Sequence, residues 1–76
     1  MSKEKCDNLF TWFEENKFEN EGDYPRDTNL VFSFMDYLDN ADNEEEIADK
    51  LGLTDEDNFE QAKAEMLKGC EKWINS

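Results

Sequence analysis

Apolar side chains recur along this chain at the spacing of a helix. Cys6, Leu9, Phe10 and Phe13 step along one face in threes and fours, Lys17 extends the stripe and Trp12 flanks it. The pattern predicts a first helix over Lys3 to Lys17, with the Ser2 hydroxyl capping its free amides. From Phe18 to Arg26 the periodicity stops, and Gly22 and Pro25 punctuate a loop. A second helix is expected from an Asp27 cap to Asp39, with Val31, Phe34, Met35 and Leu38 as its stripe and Leu30 and Tyr37 on the margins. The segment 30–35 is also β-prone in composition, but the Asp27-Thr28-Asn29 start and the continuation through Leu38 favour helix. Asn43 is placed to cap a short third helix, Glu44 to Leu51, with three acids in its first turn, where the helix dipole favours them, and Gly52 to end it. Thr54 is expected to cap a fourth helix that opens on Asp55, Glu56 and Asp57. Phe59, Ala62, Met66, Cys70 and Trp73 then run down one face, widened by Leu67 and Ile74. The expected fold class is all-α: a compact bundle of about four short helices forming a single acidic domain over residues 1–76.

Six Leu, two Ile and one Val are a thin aliphatic supply, whereas six Phe, two Trp and two Tyr are generous. Each aromatic buries roughly 150–250 Å², so rings are expected to complete the core. Without them, a chain with 38% charged residues would sit near the disordered class.

The net charge of −13 is unevenly laid out. Residues 1–18 carry four acids and three lysines, and residues 61–76 two acids and three lysines. Residues 19–60 carry fifteen acids against Arg26 and Lys50 alone, so the net charge lies in the middle of the chain. Charge of one sign at that density destabilises a compact state. Helix starts account for Glu44 to Glu46 and for Asp55 and Asp57. They do not account for the near absence of cations between them, since an ordinary solvated face mixes both signs.

The residue types exclude much chemistry. There is no histidine, hence neither the commonest general base nor the commonest transition-metal ligand. There is no Cys-x-x-Cys pair, glycine-rich phosphate loop or Gly-x-Ser-x-Gly elbow. An EF-hand register fails: counted from Asp39, position 6 is Glu44 where glycine is needed, and position 12 is Lys50 where Glu is. No metal, cofactor or enzymatic activity is expected, a carboxylate-only enzyme being the residual catalytic reading. Cys6 and Cys70 are too few for a disulfide framework. In an up-down-up-down bundle they fall at neighbouring ends, so a bridge is geometrically open, with two small core thiols the simpler expectation. No apolar run follows the N-terminal lysines, and the stretch from Leu30 to Met35 is far too short for a membrane. A reduced, cytoplasmic protein with no membrane partner is expected.

The functional expectation rests on Asp36, Asp39, Asp42, Glu44, Glu45, Glu46, Asp49, Asp55, Glu56, Asp57 and Glu60. Duplex DNA carries one charge per about 1.7 Å of axis, and proteins grip it with rows of Arg and Lys. A folded protein offering carboxylates at comparable density can occupy such a groove instead, with fast, salt-sensitive association. In composition and size the chain is similar to the phage- and mobile-element-encoded inhibitors that imitate nucleic acid, including anti-restriction and anti-CRISPR proteins. That similarity implies a monomer or homodimer in the host cytoplasm that blocks a basic nucleic-acid-binding protein or nuclease complex and does not itself bind nucleic acid. Immunity proteins and antitoxins neutralise basic toxins by the same physics. Trp12, Phe18, Tyr24 and Phe32 are candidate exposed anchors for such an interface; most are expected to fill the aliphatic-poor core, with Phe32, opposite its helix's stripe, the best exception.

The segment Glu46 to Thr54 resembles the first helix and turn of a helix-turn-helix, with Ile47, Ala48 and Leu51 packing and Gly52 turning. The acidic residues that follow would repel phosphate. The alternative expectation is therefore a helical adaptor that reuses a degenerate element of this kind for protein contact.

Overall fold

In a computed structural model of the chain, described over residues 3–54 and 56–75, four α-helices make up the architecture, and no strand forms among the described residues. They are α1 (Lys3–Asn16), α2 (Arg26–Asp39), α3 (Glu44–Leu51) and α4 (Phe59–Ile74), with a 3₁₀ turn over Ala41–Asn43. The expected all-α bundle is present, and the β-prone segment 30–35 is helical. Packing is interleaved: α2 rests chiefly on α4 and α1 on α3, while α1 also touches α2.

Residues one turn apart build the core. Leu9 and Phe13 of α1, Leu30, Phe34 and Leu38 of α2, Ile47 and Leu51 of α3, and Ala62 and Met66 of α4 are all buried. The scarce aliphatics Leu9, Leu38, Ile47 and Leu51 lie deepest. The rings form a layer between α1 and α2. Phe34 meets Phe10 edge-on at 5.0 Å between centroids and Phe13 at 5.3 Å, and Phe13 meets Tyr37 at 5.1 Å. Such pairs add about 0.5–1.5 kcal/mol each beyond the area they bury.

Several expectations are corrected in detail. Tyr37 is buried and Met35 only half-buried, because the inward face of α2 centres on Leu30, Phe34 and Leu38. Trp73 is 48% exposed, since the last turns of α4 wall an open groove instead of a closed seam. Lys17 lies beyond the end of α1 and is exposed. Helix α2 begins before Asp27: Pro25 holds its φ at −54°, and its carbonyl accepts the first helical bond from Asn29 at 3.0 Å. Asp27 serves in the first turn. Asn43 precedes α3 without capping an amide, its Nδ2 donating instead to Tyr37 O at 3.0 Å. The chain enters α3 already turned, because Asn40 Oδ1 accepts from the Asp42 amide at 2.9 Å.

Thr54 does not start α4. Its amide and hydroxyl donate to Asp57 Oδ2 at 2.9 and 3.2 Å, closing a separate turn. The helix waits for Asn58, whose Oδ1 accepts from the Gln61 amide at 3.2 Å. The connection over 52–58 is longer than the roughly three- to four-residue turn of a helix-turn-helix, so that element is not formed. Gly52 ends α3 as expected, with φ 67° in the left-handed region. The Ser2 cap and Asp55 lie outside the described residues.

Candidate interaction surface

The loop between α1 and α2 is tied down from beneath. Asn29 is 5% exposed, and its Nδ2 donates to Asn20 Oδ1 at 2.7 Å and to Tyr24 O at 2.8 Å. Gly22 lies so close that a Cβ there would stand 2.2 Å from Asn29 Oδ1, so only a hydrogen fits. The result holds Tyr24 outside the core, 64% exposed, with its ring 5.8 Å from that of Phe32, itself 40% exposed. Phe32 is thus exposed as expected, and Tyr24, another of the candidate anchors, is exposed beside it. Trp12 and Phe18 are half-buried against the core.

The acids divide by what they touch. Glu46 turns inward and accepts a hydrogen bond from the Tyr37 hydroxyl. Burial first, then that bond and the carboxylate's charge, push the Tyr37 pKa well above the ordinary tyrosine value. Asp57 is engaged by Thr54, whose amide and hydroxyl hold its carboxyl below the usual range. Glu60 pairs with Lys63 at 3.8 Å. Asp36, Asp39, Asp42, Glu44, Glu45, Asp49 and Glu56 are exposed, and none has an ion pair among the described residues.

Phe32, Asp36 and Asp39 follow one another at helical spacing along the outer stripe of α2. Asp36 shares a shallow depression with Glu19, Glu21 and Asp23 of the loop. Asp42, Glu44 and Glu45 gather around a second depression beside Ala48 and Phe59. Sequence reasoning passed over Glu19, Glu21 and Asp23, although they belong to the same acid-rich stretch.

The two cations of that stretch are turned onto aromatic rings. Arg26 bonds Glu14 Oε2 at 2.8 Å, and its guanidinium lies 5.4 Å from the centre of Phe18. Lys50 lies 4.7 Å from the centre of Trp12, with Lys17 over the same ring at 5.8 Å.

Between α1 and α4, floored by α2, runs an open and largely apolar groove of about 480 Å³. Cys6 and Cys70 both line it as free thiols, so the bundle does bring their ends together. Burial is the main cause raising both thiol pKa values, joined by Asp7 and Glu65 at Cys6 and by Glu71 at Cys70. Among the described residues no group of three or more Cys, Asp or Glu could hold a metal ion, and no helix is long and apolar enough to cross a membrane. In comparisons with known proteins, no family model, curated protein or solved structure matches the chain.

Proposed function

We propose that this protein is a binding module of the inhibitor type, which sets its exposed carboxylates against a positively charged nucleic-acid-binding site of a partner protein and occludes it. One observation carries the reading. Asp36, Asp39, Asp42, Glu44, Glu45 and Asp49 stand exposed without ion pairs among the described residues, while Arg26 and Lys50 are held on Phe18 and Trp12. A surface serving solubility alone mixes both signs, whereas here Arg26 engages Glu14 and Phe18 and Lys50 engages Trp12, leaving these carboxylates unpaired among the described residues. Unpaired carboxylates keep their field for a partner and steer association.

The test is capture of nucleic-acid-binding proteins from a bacterial lysate at low and high salt, with competing DNA and RNA. Asp39, Glu44, Glu45 and Asp49 are each replaced by Lys, and Glu46 is spared because it serves Tyr37. Four attractions of about 0.2–1 kcal/mol each become repulsions, so affinity should fall roughly tenfold or more. Capture that withstands salt, competitor and charge reversal would sink the proposal. A second reading, a helical adaptor, draws on the apolar groove and the exposed Trp73. It requires binding that Trp73→Ala weakens and salt does not.

A further inference from the structure

We infer that the Tyr24–Phe32 ring pair and the carboxylates around it receive an arginine side chain of the partner, the guanidinium lying on the rings and pairing with a carboxylate. This rests on the acidic surface being the partner surface and adds the residue type that it selects. The rings are exposed and meet at a 48° tilt with centroids 5.8 Å apart, and the depression beside them is lined by Glu19, Glu21, Asp23 and Asp36. An apolar platform edged with negative charge is complementary to a flat cation.

The fold itself makes the same kind of contact elsewhere. Arg26 lies over Phe18 while bonding Glu14 at 2.8 Å, a ring and a carboxylate holding one guanidinium together. Lys17 and Lys50 occupy Trp12. Over Tyr24 and Phe32 no cation sits among the described residues, although four carboxylates surround them. The backbone beneath the pair is held, since Asn29 anchors the Tyr24 carbonyl at 2.8 Å, so the loop itself needs little ordering on binding.

Arginine is favoured over lysine on physical grounds. Its guanidinium is planar, weakly hydrated and able to bond a carboxylate through two N–H groups, whereas an ammonium is compact and strongly hydrated. The rings should therefore add to the preference for arginine that two-point bonding to a carboxylate already supplies.

The experiment titrates the full chain with oligo-arginine and oligo-lysine peptides of equal length at low salt, by calorimetry and by NMR of the ring protons. Oligo-arginine should bind roughly fivefold tighter or more, with shifts at Tyr24 and Phe32. Tyr24→Leu with Phe32→Leu should reduce that preference severalfold, weakening oligo-arginine more than oligo-lysine, circular dichroism confirming the fold. Replacing Glu44, Glu45 and Asp49 by Lys should weaken both peptides and leave their ratio intact. Equal affinities in the unaltered protein, or a preference that loss of the rings leaves undiminished, overturn the arginine site and leave the acidic-surface reading standing. Failure of the unaltered protein to bind either peptide overturns both.

Discussion

Gly22 and Asn29 should behave as one unit, and a double-mutant cycle can show it. Gly22 needs no unusual backbone, since Gly52 is the positive-φ glycine of the described residues. What forbids a side chain at Gly22 is Asn29, whose Oδ1 would stand 2.2 Å from the new Cβ and whose Cγ would stand 2.7 Å away. Relief requires Asn29 to move, and moving it breaks the bonds to Asn20 and Tyr24. Each is worth about 0.5–1.5 kcal/mol net, so Gly22→Ala should cost about 1–3 kcal/mol. Asn29→Ala loses the same two bonds and should cost about the same. With Asn29 already cut back to Ala, the clash is gone, and Gly22→Ala should be neutral or stabilising by about 0.4–1 kcal/mol through the unfolded chain. The costs then fail to add by about 2 kcal/mol, beyond the roughly 0.3–0.5 kcal/mol scatter of independent sites. In a domain of this size each kcal/mol moves Tm by about 4–8 °C, so thermal melts followed at 222 nm resolve the cycle. Additive losses would refute the account, because they would mean that Gly22 and Asn29 act on the loop separately.

Two further outcomes follow from buried ionisable groups. Tyr37→Phe removes the hydroxyl that donates to Glu46 and should cost about 1–2 kcal/mol at neutral pH, read from the urea midpoint. The folded Tyr37 pKa is raised, so its contribution is fully present below the ordinary tyrosine value and is lost as pH rises through the folded one. The unaltered protein should therefore weaken in strong alkali more steeply than the Phe variant, and parallel alkaline limbs would contradict this. Cys6 and Cys70, with thiol pKa values raised mainly by burial, should alkylate several-fold more slowly in the folded chain than in urea, at a rate that climbs with pH. Equal rates in both states, followed by mass spectrometry, would show that the groove does not shelter them.

Much of the helical frame was legible because it is a matter of local spacing. The stripe through Leu9, Phe13, Phe34, Leu38 and Met66 and the glycine stop at Gly52 depend on neighbours along the chain. What escaped depends on partners brought from elsewhere. Asn29 reads as a polar helix-start residue, and only the return of Asn20 and Tyr24 over it explains its burial. Glu46 is indistinguishable by pattern from Glu45, and only Tyr37 one helix away turns it inward. Thr54 and Asp57 do make the local bonds expected of a cap and its acid, yet Asn58 starts the helix. The uneven charge was plain in the sequence. The seating of Arg26 and Lys50 beside rings required the fold to bring Phe18 and Trp12 next to them.

The interleaving of α1 with α3 and of α2 with α4 has a consequence for biosynthesis. No contiguous half of the chain owns a complete interior. As the polypeptide leaves the ribosome, α1 and α2 emerge together and can pair their rings, while the side of α2 that rests on α4 stays uncovered. Helix α2, which carries Asp36 and Asp39, gains its chief support only once α4 has emerged. A nascent chain that stalls before that helix leaves the α4-facing side of α2 uncovered and open to proteases. The near-neutral C-terminal residues thereby decide when the charged ones take up their final arrangement.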